Sequence, residues 1–321
     1  MSLEHMAYKM QPAGHEEPAP RRKYDRPDRK LARVFEKWLH LYQAGLPSHA
    51  GLASSLIKKI EPNIQEAHAL MMQYQDHPNI HEAGRFLTEI YSKSKNQVII
   101  YDLDTHIPLN CVGLRLHERK ILINTGRAGE YFGFQAGTII NYGETGSSPA
   151  AHAKKFVNYG KTRLYAAAHN VIAANLGTII KSVVDGKFGN GAGCILDFSS
   201  KVCTYGKAAQ RGIFISVKDD LEYDDNAHSD YEESGGESIV VATANCGFKV
   251  PPSARAKVFL WPVENKAPQL MPYLRSLRDA FEKGRNDYKA ALAALETLGP
   301  NPLAKVKSDI EGILGGCDVK A

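Results

Sequence analysis

His152 and His169 are the two residues of this chain best placed to do chemistry together. The step from His152 to His169 equals the step from Gln135 to His152. If that step makes one structural turn, the three share a column and the two imidazoles stack on neighbouring turns. Two histidines so placed can share a metal ion, or a proton whose pKa is shifted. They can also face a surface groove lined by alanines. Two plainer arrangements use the same residues: a polar ladder on the outer face, or two imidazoles each bonded to a backbone carbonyl.

A second group holds His77 and His81, with His68 nearby. Histidines four apart on a helix suit zinc. Pro78 lies between them, however, and no acidic third ligand follows at a useful spacing, so the stretch reads as a loop or helix start. The glycine-rich run from Asp185 to Gly193 lacks the Gly-Lys-Ser/Thr ending of a phosphate-binding loop and leads into no helix. It reads as an enlarged corner, and no cofactor is predicted. The five cysteines (Cys111, Cys194, Cys203, Cys246, Cys317) are odd in number and form no CxxC pair. That pattern points to a reducing, cytoplasmic compartment.

The elements that would position the His column are read from a repeat. Asn124-Thr125-Gly126, Asn141-Tyr142-Gly143, Asn158-Tyr159-Gly160 and Asn175-Leu176-Gly177 follow one another at the same fixed step. The two residues before each Asn are apolar: Leu122 and Ile123, Ile139 and Ile140, Phe156 and Val157, Ala173 and Ala174. A fixed period with a short β-forming pair predicts stacked coils about 4.8 Å apart. One coil cannot bury its own apolar face, so the stack makes the core. The Asn column predicts a ladder of amides, each donating to the next coil, with plain turn chemistry as the alternative. Gly126, Gly143, Gly160 and Gly177 are expected to supply the positive φ of a sharp corner, and Gly129 and Gly146 are read with them as coil turns.

The run Gly126-Arg127-Ala128-Gly129-Glu130-Tyr131-Phe132-Gly133, followed by Thr138-Ile139-Ile140-Asn141-Tyr142-Gly143, resembles the Gly-x-x-Gly-x-x-x-Gly repeat of the glutamate synthase C-terminal domain. That right-handed β-helix is also similar to one subunit of formylmethanofuran dehydrogenase. The resemblance covers roughly residues 110–217. The next coil keeps Gly143 and Gly146 but has Ala150 at the third glycine, and the coil after keeps only Gly160. The resemblance implies a scaffold between catalytic parts and brings no catalytic residue to this chain.

Taken in order, residues 1–30 form a polar arm with a basic cluster, opening on Met1-Ser2-Leu3-Glu4-His5, which looks like a tag remnant. Residues 31–95 read as helices, because Leu31, Val34, Phe35, Trp38, Leu39 and Tyr42 recur at three and four. Further helices are expected near Ser48–Ile60, after Pro62 and over His81–Lys93, and their natural task is to cover the open end of the solenoid. Residues 96–263 are the β-helix domain, with strands at Gln97–Leu103, Cys111–Leu116, Ser238–Ala244 and Ala256–Val263. Within it, 219–235 is rich in Asp and Glu and reads as a mobile acidic loop. Residues 264–321 return to helix and are expected to cap or flank the other end.

The chain of 321 residues carries a net charge of +5, too mild to demand nucleic acid. No apolar run reaches membrane-spanning length. The fold expected is α+β: a single-stranded right-handed parallel β-helix of equal, seventeen-residue coils flanked by N- and C-terminal helices. Its expected role is a non-catalytic scaffold or interaction module with a protein partner, and a homo-oligomer is allowed. A subunit of an amidotransferase-like or redox assembly is a further option, in which Cys194 or Cys203 would matter. The alternative is a metal-dependent, hydrolase-like enzyme using His152 and His169.

Overall fold

Strands that carry an apolar pair and an Asn at one fixed step can pair in only one register without turning core residues outward. The computed structural model follows that register. It describes residues 29–43, 54–55, 57, 60, 63–163, 166–179, 192–198, 213–216, 238–243, 256–261 and 267–314. The main sheet contains β1 (Val98–Tyr101), β2 (Ile121–Asn124), β3 (Thr138–Asn141), β4 (Lys155–Asn158), β6 (Ile172–Asn175), β8 (Cys194–Asp197), β9 (Ile213–Ser216), β10 (Ser238–Thr243) and β11 (Ala256–Trp261). Neighbours in this sheet follow chain order, and every pairing is parallel. Asn124, Asn141, Asn158 and Asn175 lie opposite one another across β2, β3, β4 and β6.

The rest of the repeat also stacks. A second parallel ladder joins β5 (Lys161–Thr162) to β7 (Thr178–Ile179), and single bridges tie Arg127 to Glu144 and Glu144 to Lys161. The protein is therefore α+β, with a long parallel sheet whose connections pile up in register.

Both faces of the sheet are buried, and alternation along each strand decides which residue goes where. Leu122, Ile139, Phe156, Ala173 and Ile195 point into the stack. Ile123, Ile140, Val157, Ala174 and Leu196 point away from it, into a second core. That second core is completed by α4 (Ala267–Glu282), α5 (Tyr288–Thr297) and α6 (Pro302–Ile313) through Leu270, Leu274, Phe281, Leu295, Val306 and Ile310. Among the described residues these helices thus cover the side of the sheet. The apolar pair is the cause: a strand with two adjacent apolar residues shows one to each face, so both faces need cover.

The N-terminal helices cap the first coil. Here α1 (Arg29–Gln43), α2 (Ile64–Gln73), a 3₁₀ turn at Ile80–Ala83 and α3 (Gly84–Lys93) bring Leu31, Phe35, Trp38, Phe86 and Leu87 onto the core of the stack. Asn63 starts α2 with a reciprocal bond pair to Glu66. Thr88 supplies what the end coil lacks. Its hydroxyl accepts from the Gly113 amide (2.7 Å), and its one hydrogen has the Gly84 carbonyl of its own helix (2.8 Å) and the Cys111 carbonyl (3.1 Å) within reach. His68 is buried in the same cap, 2.9 Å from Asp102 Oδ1 and 2.6 Å from the Tyr91 hydroxyl.

Two expectations need correction. Cys111–Leu116 is a turn, not a strand, because Cys111, Gly113 and Arg115 all have left-handed φ. The six coil glycines, Gly126, Gly129, Gly143, Gly146, Gly160 and Gly177, do not have positive φ. They are glycine for lack of room: a Cβ on Gly143 would sit 2.0 Å from the Gly126 carbonyl oxygen, and one on Gly160 2.0 Å from that of Gly143. Residues 1–28 of the basic arm, most of Ser48–Ile60, Asp185–Gly191 and the acidic 219–235 loop lie outside the described residues, while Arg29 and Lys30 belong to α1. Among the described residues, no helix is long and apolar enough to cross a membrane.

Candidate functional site

The corner that carries the His column is built from left-handed residues at every second position. In one coil they are Tyr131, Gly133 and Gln135; in the next Ser148, Ala150 and His152; then Ala167 and His169. Alternate residues send their amides in opposite directions along the stack. Tyr131 and Gln135 donate forward, to Ser147 (2.9 Å) and Ala151 (2.9 Å), whereas Gly133 donates back to Val112 (2.8 Å). The middle residue is small in every coil because it faces the core. A Cβ on Gly133 would lie 2.5 Å from Ile139 Cδ1, while Ala150 and Ala167 are fully buried. The flanking residue faces solvent, so Gln135, His152 and His169 are exposed.

Those three residues do form one column, and the structure extends it by Arg115, whose Nε donates to Gln135 Oε1 at 2.8 Å. Arg115 escapes the sequence reading because its coil is longer than the repeat. His152 and His169 stack face to face, with centroids 4.6 Å apart and planes 17° apart. Phe134 leans on His152 at 5.3 Å. Burial first, and then the neighbouring His169 charge, hold the His152 pKa below the ordinary value. A metal sits in the plane of each imidazole that binds it, along a nitrogen lone pair. Parallel stacked rings aim those lone pairs side by side, so a shared metal requires one ring to swing outward. Among the described residues, no three His, Cys, Asp or Glu side chains gather as a metal group.

His77 and His81 do not share a helical face. His77 lies in the turn before the 3₁₀ segment and accepts from the Asn79 amide (3.2 Å), and His81 lies within that segment. Cys111 and Cys194 are free thiols, and full burial pushes Cys194 up to about 12.

Inside the stack runs the second column. Asn124 Nδ2 donates to Asn141 Oδ1 (2.7 Å), Asn141 to Asn158 (2.8 Å) and Asn158 to Asn175 (2.8 Å). The amide suits the place because it both accepts from one coil and donates to the next. The spare hydrogen of Asn124 reaches the Glu144 carbonyl (3.1 Å), and that of Asn141 the Lys161 carbonyl (3.2 Å). The ladder continues to Asp197, which accepts from Asn175 at 2.9 Å across a longer coil. A carboxylate can accept but not donate, so the run of amide donations ends at Asp197. The longer step hid Asp197 from a search at the fixed period, yet Ile195-Leu196-Asp197 repeats the apolar-apolar-acceptor signature of the other coils.

No family model matches the chain, and neither curated proteins nor solved structures give a match.

Proposed function

We propose that this chain is a non-catalytic scaffold or interaction module, built on a single-stranded right-handed parallel β-helix of the glutamate synthase C-terminal type and working as one subunit of a larger assembly. The observation that carries this reading is the buried amide ladder. The polar array in the interior, Asn124 to Asp197, is committed to holding coil on coil. Gly126, Gly129, Gly143 and Gly146, among the glycines behind the family resemblance, serve the same end, since their missing side chains let one coil rest on another. A partner protein, a cytoplasmic setting and the absence of a resident cofactor belong to the same proposal. The test is the mass of untagged protein isolated from its native source, with cross-links identified. A defined complex of fixed stoichiometry is the expected result. An isolated chain with turnover of its own would overturn it.

The second reading, a metal-dependent hydrolase-like enzyme, rests on the exposed stack of His152 on His169. It requires stoichiometric zinc or iron in untagged protein, lost when both residues become alanine.

A further inference from the structure

The first coil is longer than the repeat. Tyr101 lies opposite Asn124, and Asn124 opposite Asn141, so the first coil takes more chain than the one after it. The surplus forms a wall beside the following two coils, and the wall is fixed in place. Arg127 Nη2 donates to the Thr105 and His106 carbonyls (2.6 and 3.1 Å). The Gly129 amide donates to the Leu109 carbonyl (2.9 Å), and the Glu130 amide to Asn110 Oδ1 (2.9 Å). Between wall and coils lies a cleft of about 480 Å³, within the roughly 300–1,000 Å³ of small-molecule sites.

The lining differs from end to end. At the lip stands Ile107, one of three exposed large apolar side chains among the described residues. The floor is Gly129 and Gly146, where the stacking leaves no room for a side chain. One coil further, the same column holds Arg163, which also lines the cleft. Glu144 faces Arg163 at 3.7 Å, beyond hydrogen-bond distance; Arg163 is exposed and Glu144 half-buried, still open to the cleft it lines. Each therefore keeps bonding capacity toward a ligand. Thr145, between Glu144 and the Gly146 floor, is buried in the lining, and its hydroxyl has no hydrogen-bond partner among the described residues.

We propose that this cleft binds a small zwitterion with a short apolar group, of the class of aliphatic α-amino acids. The carboxylate meets Arg163, the ammonium group meets Glu144, and the aliphatic chain lies along Ile107. A plain anion is opposed by Glu144 and Glu130, and a plain cation by Arg163 and Arg127, so neighbouring opposite charges select a dipolar ligand. The site is separate from the imidazole column and does not rest on the scaffold reading.

Calorimetric titration of the full chain tests it, with leucine as the probe and two analogues as controls. 4-Methylpentanoate lacks the amine, and 3-methylbutylamine lacks the carboxylate. Leucine is expected to bind saturably, and each analogue about tenfold more weakly or worse, as loss of one charged hydrogen bond predicts. Arg163→Gln and Glu144→Gln are each expected to weaken leucine by a similar factor, with urea unfolding midpoints nearly unchanged because the pair they break is only a 3.7 Å contact at the surface. Absence of saturable leucine binding overturns the proposal. So does equal affinity for the analogues, or leucine binding that both variants leave intact.

Discussion

Asn158 accepts from one coil and donates to the next, and both neighbours are buried. Removing its amide leaves Asn141 without an acceptor and Asn175 without a donor, at a cost of roughly 1–3 kcal/mol for each stranded group. Asn158→Ala is therefore expected to lower the urea midpoint clearly. Asn158→Asp should lower it further, because a carboxylate cannot donate and carries charge into the core. Lys154→Ala removes an exposed ion pair with Glu118 and should cost within roughly 0.5 kcal/mol. An Asn158→Ala protein that unfolds like wild type would reduce the column to turn chemistry.

His152 gives a residue-scale dependence on pH. Its folded pKa lies below the unfolded value, so the unfolded chain takes up the proton first as pH falls. Stability from this group is level above the unfolded pKa of about 6.5. It declines below that, until the folded imidazole also protonates. His152→Gln should flatten that part of the stability curve, read as the difference between the two proteins' denaturation midpoints from neutral pH downward. Identical slopes would show that the stacked pair has no such linkage.

At the scale of the element, glycine has opposite meanings in the coil and in the helix. Gly143 lies under the carbonyl of Gly126, and an added Cβ would sit 2.0 Å from that oxygen. Gly143→Ala must push two coils apart, and a loss of about 1–3 kcal/mol or more is expected. Gly312 lies in α6 with nothing near its missing side chain. Gly312→Ala should instead stabilise, by up to about 0.5–1 kcal/mol, through the chain entropy it removes. Thermal melts of the two variants should move in opposite directions.

At the scale of the molecule, the question is how the C-terminal helices hold to the sheet. Tyr142 and Tyr159 stack at 5.0 Å, and their hydroxyls donate to the Gly284 and Phe281 carbonyls at 2.6 and 2.7 Å. Burial raises the pKa of both phenols, which keeps them protonated donors. Replacing both by Phe should cost roughly 0.5–1.5 kcal/mol per bond. The effect should be local. Hydrogen exchange is expected to quicken across 267–314 while the amides of β2, β3 and β4 stay protected. Uniform loss of protection would mean that helices and coils unfold as one unit.

Equal spacing made part of this molecule readable from sequence. Four Asn-x-Gly triplets and four apolar pairs at one fixed step define strand register. Register alone places Gln135, His152 and His169 in one line, because stacked coils of equal length preserve every column. The helices were legible for the same kind of reason, through recurrence at three and four residues. Where coil length changes, that logic stops. Arg115, Asp197 and the wall of the cleft belong to coils with extra residues, so no fixed step points to them. Three further matters were decided only by contact between distant parts. The C-terminal helices lie over the side of the sheet because the outward residues Ile123, Ile140 and Val157 need cover. The coil glycines answer to a carbonyl one turn away, not to their own dihedrals. The left-handed corner falls to Tyr131, Gln135, His152 and His169 because hydrogen bonds from two neighbouring coils hold the backbone there, against local preferences that a sequence reading takes as its guide.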